Sequence, residues 1–89
     1  MPHSKSAKKR QRQSLVRADR NQARRTAART AVRTAREAIA DGDKDAAVAA
    51  FLVAATVLDR TASIGVIHAN NAARRKSRLA KQLGAMDAK

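Results

Sequence analysis

Cysteine is absent from the 89-residue chain, so it has no disulfide framework, no thiolate nucleophile and no sulfur ligand for zinc. Nothing in it therefore requires an oxidising compartment, and the cytoplasm is the expected location. Aromatic residues are reduced to Phe51 and proline to Pro2. A chain so poor in aromatics lacks the stacking platforms that hold splayed single-stranded bases. With few helix breakers and about a quarter of its residues alanine, it has the composition of helices rather than strands. No apolar run approaches the ~20 residues of a membrane-spanning helix. The basic start Lys5, Lys8, Lys9, Arg10 leads into Gln and Ser rather than an apolar signal core, so neither secretion nor a membrane span is expected. Acidic residues are scarce as well: seven stand against twenty Lys and Arg, a formal charge of +13. That excess is larger than solubility requires and points to a polyanionic partner.

The charge is unevenly placed. Residues 1–36 carry +11, residues 37–63 carry −3, and residues 64–89 return to +5. Gly42 and Gly65 mark the helix ends, because glycine enters the left-handed conformation after a helix without a Cβ clash. Asp43 is the expected N-cap of the next helix, with Asp45 in its first turn. The reading is one all-α domain over 1–89, a three-helix bundle with a long, basic, protruding N-terminal helix. Helix one is expected from about Ser6 to Asp41, helix two from about Lys44 to Ile64, and helix three from about His68 to Leu83.

Apolar spacing supports this layout. Ala28, Ala31, Val32, Ala35, Ala38 and Ile39 share one face of helix one, but the same face continues toward the N-terminus as Arg24, Arg20 and Arg17. No core accepts unpaired arginines, so the first half of helix one is expected to leave the bundle as an arm over residues 1–27, with the bundle over 28–86. Helix two is apolar nearly all round through Val48, Phe51, Leu52, Val53, Val57 and Leu58, as a helix sandwiched between two others would be. Helix three sets Ala72, Leu79, Leu83 and Met86 on one side and Asn70, Arg74, Arg78 and Lys81 on the other. Residues 3–14 alone have low-complexity character and are a candidate for disorder in the free chain.

A charged helix face of mixed sign is ordinarily a solvated surface. Here the signs are not mixed. Arg25, Arg29, Arg33 and Arg36 form one ridge, and Arg17, Arg20 and Arg24 a second. The i,i+4 pairs Arg20 with Arg24, Arg25 with Arg29 and Arg29 with Arg33 each cost an isolated helix about 0.2–0.5 kcal/mol, a penalty that docking on phosphate removes. Arginine dominates lysine on this helix, which favours bidentate phosphate contacts on folded RNA. His3 stands in a tail expected to be mobile, and His68 has no carboxylate at a useful spacing. Asp41, Asp43 and Asp45 lack the Glu and the central Gly of a calcium loop, so turn and cap roles are expected of them. Asn70 and Asn71 read either as helix caps or as RNA contacts beside Arg74 and Arg75. No catalytic constellation, cofactor site, metal site or small-molecule substrate site emerges.

The opening Lys5-Ser6-Ala7-Lys8-Lys9-Arg10 with Gln13, the positions Asn21, Arg24, Arg25, Arg29 and Thr30, the Gly42-Asp43 turn and Asp59-Arg60 together resemble the twentieth protein of the bacterial small ribosomal subunit, the S-twenty family. The run from Gly65 through Val66-Ile67-His68-Ala69-Asn70-Asn71 to Leu79 is similar to that family's third-helix signature. The resemblance implies a three-helix bundle with a long first helix. It also implies a structural constituent of the small subunit that is a primary binder of small-subunit ribosomal RNA, with other components of the particle as neighbours. The resemblance implies RNA contacts through the N-terminal Lys and Arg residues and the stretch from Asn70 to Arg78. Joined with the arginine ridges, the expected contacts are Lys5, Ser6, Lys8, Lys9, Arg10, Arg12, Gln13, Arg17, Arg20, Asn21, Arg24, Arg25, Arg29 and Arg33 on helix one. On helix three they are His68, Asn70, Asn71, Arg74, Arg75, Lys76, Arg78 and Lys81. Ile64 and Ala69 stand where the family commonly has basic residues, and Pro2-His3-Ser4 is an unusual start. Basicity alone also fits a histone-like nucleic-acid-compacting protein.

Overall fold

Three helices account for nearly all of residues 5–87, which the computed structural model describes: α1 Lys5–Asp41, α2 Lys44–Ser63 and α3 Ala69–Asp87. No strand occurs among the described residues, and the fold is the expected all-α bundle. His3, with the start Pro2-His3-Ser4, lies outside them. Gly42 has φ +80° and donates its N–H to the Ile39 carbonyl, ending α1. Asp43 follows at once as the N-cap of α2, its carboxylate accepting the Ala46 N–H at 3.2 Å. A turn this short makes α1 and α2 antiparallel. Asp43→Ala should lower stability by about 1 kcal/mol while leaving helix content in the folded state unchanged, as read by urea denaturation followed by circular dichroism. No change in midpoint would remove the cap from the account of this turn.

The second turn has a different chemistry. Gly65, at φ +81°, donates to the Ala62 carbonyl at 3.0 Å, and Val66 donates to the Thr61 carbonyl at 3.1 Å. This pair of bonds is the Schellman closure of a helix C-terminus. Helix three then starts one residue later than expected, because His68 serves as its cap. The His68 carbonyl accepts from Asn71 and Ala72, and its Nδ1 accepts the Asn70 N–H at 3.0 Å. The cap role considered for Asn70 and Asn71 therefore belongs to His68. Helix three also runs past its expected end at Leu83 to Asp87, with Gly84 inside it. One glycine costs a helix interior only ~1 kcal/mol and does not stop it without further turn residues.

The core is thin and built mostly of alanine. Ala28, Val32 and Ala35 of α1, Ala54 and Leu58 of α2, and Ala72 and Leu79 of α3 form one buried cluster, with Phe51, Val57 and Ile67 packed against it. Among the described residues, only Leu58 and Leu79 are large side chains buried completely. Small contact residues let helix axes approach toward the short end of the usual 8–10 Å range. Thr61, the one buried polar residue among those described, is satisfied by donating its hydroxyl to the Val57 carbonyl. Between α2 and α3, Lys76 Nζ meets Asp59 Oδ1 at 2.7 Å, and Lys44 Nζ reaches the Leu83 carbonyl at 3.5 Å.

The expectation that α2 lies between the two other helices holds, but its all-round apolar surface is not fully used. It packs on both neighbours, yet Leu52 and Val53 remain 59% and 58% exposed and Val48 is exposed as well. Two neighbouring helices cover only part of a helix circumference, and no fourth element covers the rest. The expectation that no apolar run nears spanning length is corrected: α2, at 20 residues, is by length and mean hydropathy sufficient to cross a membrane. Its buried face, Ala47, Ala54, Leu58 and Thr61, is nevertheless the seam of this bundle.

Candidate nucleic-acid interface

The long helix owes its continuity to the absence of Gly and Pro between Lys5 and Asp41. At ~1.5 Å per residue its 37 residues span about 55 Å. Burial on α1 begins at Ala28; from Lys5 to Ala27 every residue is exposed except half-buried Ala7 and Asn21. The radius of gyration is 17.9 Å, against about 12 Å for a compact chain of this length, and the extents are 66 × 21 × 15 Å. The excess length is the arm.

Helical geometry sorts the arm's cations. At ~100° per residue, Arg25, Arg29, Arg33 and Arg36 fall within an arc of about 80° on one flank of the apolar stripe. Arg17, Arg20 and Arg24 occupy about 60° in line with the stripe itself, on the face it would follow toward the N-terminus. Farther out, Lys9, Arg12, Gln13, Val16, Arg17 and Arg20 line a shallow basic concavity of about 600 Å³. All these arginines are exposed. Among the described residues, the only carboxylate within ion-pair distance of an α1 cation is Glu37, 4.0 Å from Arg33 and itself exposed. An ion pair that long and wet contributes little, so the two ridges are left without internal neutralisation.

On α3, Asn70, Arg74, Arg78 and Lys81 form one exposed strip, opposite buried Ala72 and Leu79. Arg75 and Lys76 are half-buried at its margin. Lys76 already holds Asp59, which reduces its value to an external anion. His68 and Asn71 are also committed differently from the expectation. The His68 ring spends Nδ1 on capping and offers a partner only its Nε2 edge. Asn71 is half-buried, with its Oδ1 enclosed and without a hydrogen bond. Lys5, Ser6, Lys8, Lys9, Arg10, Arg12 and Gln13 are exposed along the first turns of α1.

One cation is invisible to the sequence pattern. Arg60 sits in the acidic middle segment, where the net charge hides it, yet the antiparallel turn brings it to the same open cleft as Arg24. Counting equal steps either side of Gly42-Asp43 pairs Arg60 with Arg25, one residue from Arg24, and so points to this end of α1. No group of three or more metal-ligating side chains exists among the described residues.

An extended basic arm on an alanine-rich bundle is the setting in which likeness to known proteins acquires meaning. The family model described as ribosomal protein S20 matches residues 2–84. The chain belongs to the ribosomal protein S20 family. Relatives named small ribosomal subunit protein bS20 agree over nearly the whole length. The one from Aeromonas hydrophila is 52% identical over 86 residues, covering 97% of this chain and 99% of the relative. That from Vibrio vulnificus is 50% identical, covering 97% and 100%. That from Rhizobium etli is 51% identical, covering 97% and 94%. Membership in the S20 family, reached from residue patterns and again by comparison, agrees with the long first helix and the two glycine turns.

Proposed function

We propose that this S20-family chain is a structural constituent of the small ribosomal subunit, not an enzyme, and that it binds small-subunit rRNA while the particle assembles. The observation that carries this reading is the set of exposed, unneutralised arginine ridges on a helix that leaves its own bundle. In this reading residues 1–27 are the rRNA-binding arm and residues 28–86 the bundle that anchors it. The α1 ridges grip phosphates along one RNA segment, while Asn70, Arg74, Arg78 and Lys81 meet a second. Arg75 and the Nε2 edge of His68 flank that strip, and Lys76 and Asn71 contribute chiefly by shaping it. Recognition through phosphate and shape suits a chain that offers no aromatic platform beyond Phe51. Its cellular place is then the ribosome in the cytoplasm, among other small-subunit components.

Chemical footprinting of small-subunit rRNA with the purified chain, at physiological salt and with excess competitor RNA, should give discrete protection in a few rRNA helices. Diffuse protection abolished by competitor, with equal affinity for random duplex DNA, would favour a histone-like compacting protein instead.

A further inference from the structure

Arg24 and Arg60 flank an open cleft of about 430 Å³ at the elbow where the arm leaves the bundle, completed by Ala27, Val57, Thr61, Ser63 and Ile64. We infer that this elbow is a phosphodiester-binding site, with Arg60 as an RNA-binding residue contributed by the otherwise acidic second helix. The inference rests on the rRNA reading above and deepens it by naming a site and a residue.

Four observations converge on the elbow. First, Arg60 is exposed, and no ion pair neutralises it among the described residues. Second, its chain neighbour Asp59, the nearest acid in sequence, is turned to the far side of α2 and occupied by Lys76 at 2.7 Å. Consecutive helical residues differ by ~100° in direction, so α2 sends its acid toward α3 and its base toward α1. Third, Arg24 is the last member of the Arg17, Arg20, Arg24 ridge, so the cleft continues a basic track that begins out on the arm. Fourth, the walls suit a sugar-phosphate backbone rather than a free ion. Ile64, 54% exposed, offers apolar surface to a ribose, and Ser63 ends α2 with a hydroxyl at the rim. The Thr61 hydroxyl is already given to the Val57 carbonyl, which leaves the two guanidiniums as the principal donors. Two guanidiniums on different helices would fix the angle at which a strand passes from arm to bundle, which cations on one helix cannot do.

The test compares the full chain with Arg60→Gln and Arg60→Lys for binding to small-subunit rRNA across a salt series. Without the Arg60 charge one phosphate stays unneutralised, so Arg60→Gln should lower affinity about 5-fold at 0.15 M salt and flatten the log–log salt dependence by ~0.7–0.9, with Arg60→Lys nearer the parent in slope. Thermal melts of the variants, followed by circular dichroism, identify any weakening due to unfolding. Location is read separately, because the natural chain has no cysteine to interfere. An iron chelate tethered through Ser63→Cys should cleave the rRNA backbone at discrete nucleotides. Tethering through Val48→Cys, twelve residues back along α2 from Arg60 and exposed, should cleave much less. If the parent chain binds rRNA discretely but Arg60→Gln matches it in affinity and slope, or Ser63→Cys cleaves no more than free chelate, the elbow proposal is overturned alone. If the parent chain shows no discrete binding, the rRNA reading falls and takes the elbow with it.

Discussion

Replacing Arg17, Arg20 and Arg24 together with glutamine is expected to weaken binding to small-subunit rRNA on the order of 100-fold at 0.15 M salt, taking one phosphate per arginine. Each neutralised phosphate contributes a log–log salt slope of ~0.7–0.9, so the slope should flatten by roughly 2–3. In free energy the loss is about 2.8 kcal/mol. A folding artefact would run the other way. Glutamine is nearly as good a helix former as arginine, and the triple change removes the like-charge pair Arg20 and Arg24 at i,i+4. Nor does any of the three side chains support the bundle, whose burial begins at Ala28. Filter-binding isotherms over a salt series check both numbers at once. Parent-like affinity with a parent-like slope would take the second ridge out of the interface and leave Arg25, Arg29 and Arg33 to carry it.

Leu58→Ala should destabilise the bundle by about 2–5 kcal/mol, the range for emptying a fully enclosed leucine site. Leu58 is 0% exposed and belongs to the single core cluster joining all three helices. Small domains have a total stability of only ~0.05–0.15 kcal/mol per residue, so this one truncation should remove a large share of what a short bundle possesses. The alanine-rich surroundings can neither slide inward far nor fill the cavity with a flexible neighbour. Leu52→Ala, in the same helix but at a site 59% exposed, should stay within about 0.5 kcal/mol. Urea denaturation of the two variants side by side measures the contrast. Equal losses at both positions would mean that α2 is covered on a face where the structure leaves it open.

That contrast marks where the sequence stops being informative. Leu52 and Leu58 look alike in an apolar helix, and neither periodicity nor hydropathy tells which one meets a neighbour. Hence α2 reads as sandwiched, although two helices cover only part of its circumference. The turns were far more legible, since Gly42, Gly65 and Asp43 act through local backbone chemistry over four or five residues. His68 was less so: an imidazole nitrogen is an uncommon cap, and Asn70 and Asn71 were the more familiar candidates. The end of α3 was missed because Gly84 resembles a stop signal but lacks the flanking turn residues that would make it one.

The sequence by itself determined the all-helical class, the two turns, the exit of the arm and the cationic character of both candidate faces. These follow from interactions between residues close in the chain, or from charge that no small core can absorb. Only the tertiary structure decided that Lys76 is held by Asp59, that Asn71 Oδ1 is enclosed, and that Arg60 lines one cleft with Arg24 at the elbow. Each of these depends on which face of one helix meets which face of another. That choice is made by packing across the whole bundle, not by any local run of residues.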